Sequence, residues 1–257
     1  MRLPIPVLIA LAMSLTAAPA MAQTASHRDS GDAAHLYGYY AKAGMQAQFD
    51  EGYRKHLGWH RAKRDPLVWY GWYVGHGDRV GMFIDGSFGA PFAAFDQRVD
   101  PAGDGADAEK NFSPYADTAF RASYRLRREL STGFPLEQWK PSSSVQVFHY
   151  TLRAGTTGRF ERAVRAARET LSRQAGAPVH TWYELVVGGN APGYLLMIAR
   201  DGWKSYDGHD GGLESLLARS EDADRRRGLL DDLAASVTEV KVETWNYSED
   251  MSLIPKD

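Results

Sequence analysis

Hydrophobic and polar positions change period several times along the chain, and the changes come in the same order twice. Residues 35–41, HLYGYYA, and 145–152, VQVFHYTL, are short runs rich in aromatic and β-branched residues, which predict strands. Gly44 and Gly155 end them. Behind the second glycine the apolar residues Phe160, Val164, Ala167 and Leu171 fall at steps of four, three and four, one stripe on a helix. A candidate hairpin follows in each unit. Leu67 to Val74 turns through Gly75-His76-Gly77-Asp78 into Val80 to Ile84, and Val179 to Val187 turns through Gly188-Gly189-Asn190 into Tyr194 to Ala199. A second helix is expected from about Phe92 and from about Trp203. The second unit closes with a helix over Asp222 to Ala235 and a strand over Thr238 to Tyr247. The order is β-α-β-β-α-β.

The two units align at a constant shift of 111, with residues 36–63 over 147–174. Tyr39, Ala43, Gly44, Phe49 and Arg54 meet Tyr150, Ala154, Gly155, Phe160 and Arg165, while Lys42 and Asp50 meet Arg153 and Glu161. Further on, Phe92, Phe95 and Asp96 meet Trp203, Tyr206 and Asp207. An internal duplication is the expectation, with units at 34–140 and 144–247, a linker at 140–144 and a tail at 248–257. The first unit departs from the pattern at about 97–133, read as an insertion. There Pro101 to Asp107 reads as a flexible loop and Tyr115 to Leu130 as a helix with exposed arginines. Its closing strand is obscure, Phe134 to Trp139 being the one candidate despite Pro135.

This order of elements, with an antiparallel sheet and two helices on one side of it, is the ferredoxin-like arrangement. Two copies in one α+β chain predict sheets packed on each other with helices outside. The chain resembles the dimeric α+β barrel superfamily in a fused, tandem form, over residues 34–100 and 144–247. Members of that superfamily include cofactor-free monooxygenases, haem-degrading enzymes, and haem peroxidase and chlorite-decomposing types. Several place substrate or haem between sheet and helices, so the resemblance implies a pocket there. It carries over no catalytic motif residue by residue.

The first 22 residues hold one charge, Arg2, then the apolar run Val7 to Leu15 and small residues ending at Ala22, the pattern of a secretory signal peptide. The expected location is periplasmic or secreted, with residues 23–33 a disordered mature N-terminus. The apolar run is too short for a membrane span. A net charge of -2 gives no electrostatic case for nucleic acid or anionic membrane. The chain has no cysteine, which excludes disulfides, thiolate catalysis and cysteine metal ligation. A fused pair could stand as a monomeric pseudo-dimer or form a homodimer through its outer edges and tail.

The alignment also locates the candidate chemistry. Where the second unit carries Phe160, Val164, Ala167 and Leu171, the first carries Phe49, Tyr53, His56 and His60. Two histidines four apart project from one helix face, the face that points at the sheet. Three readings stay open. The histidines are satisfied core groups of a non-catalytic envelope scaffold or interaction protein. Or they line a pocket with Tyr37, Tyr39, Trp69 and Trp72 that binds a small aromatic or hydrophobic molecule, with oxygenase-like activity as one form of this reading. Or they hold a metal or a haem, although zinc needs a third ligand and none is in view. No metal set is therefore assigned. Glu184, within an apolar strand, is a further candidate acid or base if buried. His76 and the run Asp207-Gly-His209-Asp210 read as turn residues.

Overall fold

The computed structural model describes residues 26–207, 212–219 and 222–256. Residues 1–22, where a signal peptide is expected, and the run 208–211 lie outside them. Eight antiparallel strands form one closed barrel in the order β1-β3-β2-β8-β5-β7-β6-β4. The first half supplies β1 (Ala33–Ala41), β2 (Tyr70–His76), β3 (Phe83–Ala90) and β4 (Ala116–Leu126). The second supplies β5 (Ser144–Leu152), β6 (His180–Val187), β7 (Gly193–Arg200) and β8 (Val237–Tyr247). Within each half the last strand lies beside the first, the first beside the third and the third beside the second, so the two halves share one strand order. The shift of 111 recurs between β1 and β5 at both ends, and between short 3-10 turns at Phe92–Phe95 and Trp203–Tyr206.

The halves meet edge to edge, not as two sheets stacked face to face. β2 pairs with β8, placing Trp72 opposite Tyr247, and β4 pairs with β6, placing Leu126 opposite Tyr183. Each half donates an otherwise open edge to the other, and among the described residues no strand edge of the barrel is left unpaired. Alternate side chains then point into the barrel. Leu36, Tyr70, Trp72, Val74, Ile84, Val145, Val147, Leu195, Met197 and Trp245 fill it. Trp72 and Trp245 are fully buried with ring centroids 6.0 Å apart. At about 25 cal/mol per Å² such a side chain contributes on the order of 4–6 kcal/mol of transfer free energy.

Outward-facing residues are covered by helices. In the second half α3 (Thr157–Ser172) places Phe160, Val164, Ala167 and Leu171 on Tyr150, Trp182, Tyr194 and Ile198. α4 (Leu213–Ala218) and α5 (Ala223–Ser236) lie against α3. In the first half α1 (Gln46–Ala62) packs Phe49, Tyr53 and Leu57 on Phe83 and Trp69. α2 (Pro101–Asn111) lies against α1.

Several expectations are corrected. Pro101 to Asp107 is helix, not loop. Asp100 caps it by accepting a hydrogen bond from the Gly103 amide at 3.0 Å and Pro101 takes the first helical position, signals that outweigh two glycines. Tyr115 to Leu130 is mostly strand β4, whose arginines alternate with residues facing the barrel. β4 is thus the closing strand. Phe134 to Trp139 instead plugs the barrel with Leu136 and Trp139. The segment 97–133 is no insertion: β3 to β4 is a shorter connection than β7 to β8. Residues 26–32 are tied down, with Ser30 N–H bonded to Gly89 at 2.8 Å and Arg128 paired with Asp29 and Asp32 at 2.7 Å. The tail is also internal: Leu253 bridges to Trp69, and Met251 and Leu253 are buried against the first-half helix layer.

Within the plug, Glu137 is 1% exposed. Its Oε1 accepts the Tyr183 hydroxyl at 2.7 Å, while Oε2 has no hydrogen bond. Burial pushes the carboxyl up to about 7, the Tyr183 bond opposing it. The folded chain therefore keeps a proton that the unfolded chain loses, and stability falls as pH rises from about 4.5 to about 7. Glu137→Gln should raise Tm by several degrees at pH 8 and change it little at pH 5, measured by thermal unfolding at both pH values. An equal shift at the two would refute this.

Candidate functional site

The stripe that is apolar throughout in α3 turns polar in α1. His56 and His60 are both buried against the barrel wall. Room for them comes from the way α2 approaches. Gly52 lies where α3 has Ala163, and a Cβ on it would fall 2.0 Å from the Asn111 carbonyl oxygen. Without that carbon, the end of α2 sits flush on α1. Asp104 and Asp107, three apart on α2, then face the two imidazoles.

The donors are arranged in a fixed order. His56 Nδ1 lies 2.8 Å from Asp107 Oδ2, and His60 Nδ1 lies 2.7 Å from Asp65 Oδ2. Asp65 is itself held by the Leu67 amide and the Trp69 indole N–H, both at 3.0 Å. A carboxylate only accepts, so each imidazole carries a proton on Nδ1 and, when neutral, a lone pair on Nε2. The two Nε2 atoms lie 3.1 Å apart, and each is 3.3 Å from Asp104 Oδ1. Asp104 Oδ2 bonds to Arg98.

Titration follows from this crowding. Burial works against a charged His60, but hydrogen bonds and charge from Asp104 and Asp65 outweigh it and lift its pKa to about 9. Burial likewise opposes ionised Asp104, yet His56, His60 and Arg98 hold its carboxyl well below the usual carboxylate range. Deeper in the wall, burial pushes Asp85 up to about 7 against a 2.8 Å bond donated by the Tyr53 hydroxyl.

Above this cluster opens a cavity of about 500 Å³ between α1, α2 and the outer face of the barrel. Tyr37, Tyr39, Trp69 and Phe112 form aromatic walls, and Arg98 and Arg121 bring positive charge. Of the residues expected in a pocket, Tyr37, Tyr39, His56, His60 and Trp69 come together here. Trp72 does not. It is in step with Tyr70 and Val74, so the strand alternation turns it into the barrel interior. Glu184 is half-exposed and paired with Arg127 at 2.7 Å, on the other half, and is no buried acid. Asp104, Asp107, Asp85 and Arg98 join the site without having been expected in it. For the aspartates on α2 the signal was the Asp100-Pro101 start, which puts both on one helix face.

The two histidines do not fit a haem. An axial imidazole needs one ring nitrogen facing a slot for the macrocycle. Here Nδ1 of each ring faces a carboxylate, and the Nε2 atoms face each other and Asp104.

No protein-family model matches the chain, and no curated protein matches it by sequence. Solved structures do match in shape. A monooxygenase-assigned protein from Lactobacillus acidophilus NCFM aligns with TM-score 0.56 at 10% identity, covering 88% of this chain and all of that one. An anthrone oxidase-like protein gives 0.52 at 7% identity, covering 90% and 96%. A protein assigned as a chlorite dismutase gives 0.51 at 8% identity, covering 86% and 96%. These neighbours are dimeric α+β barrel superfamily members, and at such identity the likeness is one of fold.

Helix propensity alone makes Gly52→Ala stabilising by about 1 kcal/mol. The Asn111 carbonyl reverses the sign: the added carbon must push α2 off α1, costing about 1–3 kcal/mol. A lower Tm for Gly52→Ala is the expected result, and a higher one would show that α2 is not seated as described.

Proposed function

We propose that the protein binds a small, planar aromatic molecule bearing a hydroxyl or carbonyl oxygen in the cavity between α1, α2 and the barrel, and that it acts on that molecule with oxygenase-like chemistry. The observation that carries this reading is the cavity itself, about 500 Å³ with aromatic walls over a buried polar floor. A volume of that size suits a small ligand, with few polar groups to fix its orientation. Tyr37 and Trp69 offer ring faces for stacking. Arg98 and Arg121 suit an oxygen that becomes negative, as a phenol or an activated C–H compound does on losing a proton. The resulting electron-rich anion is the species that reacts with dioxygen.

Anthrone is a suitable probe. Its methylene carbon loses two hydrogens, one oxygen atom of O₂ becomes the new carbonyl, and the other leaves as water. The fold likeness to a monooxygenase-assigned and an anthrone oxidase-like protein supports the choice without fixing the substrate. On this reading the chain is an exported, fused pseudo-dimer in which one half keeps the pocket. The pattern of residues 1–22 and the shared strand order support that.

Titration of the protein with 2-naphthol should quench tryptophan fluorescence at one site per chain. Ala108→Trp, which fills the cavity from α2, should weaken binding at least 10-fold without lowering Tm. Oxygen-electrode traces with anthrone should show uptake matching anthraquinone formation above the uncatalysed rate. Binding without uptake removes the oxygenase half of the proposal, and loss of neither in Ala108→Trp removes the pocket.

A further inference from the structure

We propose that His56, His60 and Asp104 form a binding site for one divalent first-row transition metal, with Asp107 and Asp65 as the carboxylates that orient the two imidazoles. Three donor atoms, two imidazole Nε2 and one carboxylate oxygen, come from two helices and converge at 3.1, 3.3 and 3.3 Å. Ligands about 2.1 Å from a common ion and separated by angles between octahedral and tetrahedral lie about 3.0–3.4 Å apart. The observed triangle matches. An ion about 1 Å off its plane reaches all three atoms at ordinary bond lengths without moving a side chain.

Chemistry agrees with geometry. Each imidazole directs Nδ1–H at a carboxylate, the arrangement that fixes a metal-binding tautomer and raises ligand basicity. In the neutral Nδ1–H form each imidazole turns an Nε2 lone pair toward the other and toward buried Asp104 Oδ1, 3.3 Å from both. Such a set of unshared electron pairs demands a cation. A single proton serves one nitrogen at a time, whereas a metal ion serves all three atoms together. With both imidazoles neutral, the carboxylates of Asp65, Asp104 and Asp107 outnumber the Arg98 guanidinium that pairs with Asp104, a negative surplus that suits a dication. Two imidazoles and one carboxylate favour iron(II), cobalt(II), manganese(II) or zinc over calcium and magnesium, which prefer all-oxygen sets, and over copper(I), which prefers sulfur. Three ligands on one side leave the remaining coordination positions toward the cavity, open to water or a ligand oxygen.

The inference rests on the small-molecule reading only for what such an ion would act on. The metal site stands or falls separately. Chelator-stripped protein titrated with Co(II) should take up one ion per chain by calorimetry, develop visible d–d absorption, and gain several degrees in Tm. Asp104→Ala and His60→Gln should each lower Co(II) affinity at least 100-fold. Asp107→Asn, which leaves all three ligands in place, should lower it about 10- to 100-fold. Far-UV circular dichroism of the metal-free variants establishes folding, and if the first two do not fold, Asp107→Asn decides. Absence of stoichiometric uptake by the unaltered protein, or undiminished uptake in the folded variants, overturns the site. Binding of 2-naphthol to the metal-free protein is scored independently, so failure of the cavity reading and failure of the metal reading give different results.

Discussion

Closure of the barrel is the constraint from which the rest follows. β2 pairs with β8 and β4 with β6, so every strand has two neighbours and every strand has an inner and an outer face. The inner face must be filled, and Trp72, Trp245 and their aliphatic neighbours fill it. No ligand space is proposed there. The outer face must be covered by helices, and a cavity arises where that cover is incomplete. In the first half the outward residues Tyr37, Tyr39 and Asp85 meet α1 on one side and α2 on the other, and the space left between them is the candidate site.

Both halves solve the same covering problem with different residues. α3 lays an unbroken apolar stripe on the wall, and Leu213, Leu216 and Leu217 of α4 join the same cluster. α1 keeps Phe49 where α3 has Phe160, but gives Tyr53, His56 and His60 where α3 has Val164, Ala167 and Leu171. The glycine at position 52 belongs to this set, because it admits α2, and α2 brings the aspartates that satisfy the histidines. The exchange of these four positions thus acts as a unit. Changing His56 and His60 back alone would strand Asp104 and Asp107 against apolar side chains.

Much of this was legible in the chain. The shared order of aromatic, glycine and charge gave the first strands, the first helices and the hairpins, because each of those elements carries its own period. The contrast of His56 and His60 with Ala167 and Leu171 pointed to the correct helix face. Element identity was lost between Gln97 and Trp139. Gly103 and Gly105 hid a helix set by its cap, and the charged residues of β4 hid a strand with one exposed face. The missing third ligand lay in that stretch. Asp104 is 44 residues from His60 in sequence and 3.3 Å away in space, and only the seating of α2 on Gly52 relates the two. Trp72 was misplaced for a simpler reason: it lies three positions beyond Trp69, and an odd step along extended chain turns a side chain to the opposite face.

The cost of the polar floor is itself informative. Buried charged networks are commonly no more stabilising than apolar residues of similar size, and are often less so. The second half demonstrates the apolar solution on the same scaffold, at the same positions, with every side chain of the stripe buried. The first half nonetheless holds two imidazoles and three carboxylates in a wall that could have been closed with Ala and Leu. It orders them by second contacts, Asp107 on His56 and Asp65 on His60, with Trp69 and the Leu67 amide fixing Asp65 in turn. Packing alone does not require that precision. A site in which two lone pairs and a carboxylate oxygen must converge does require it, and the aromatic cavity beside the cluster provides the place where such convergence would be used.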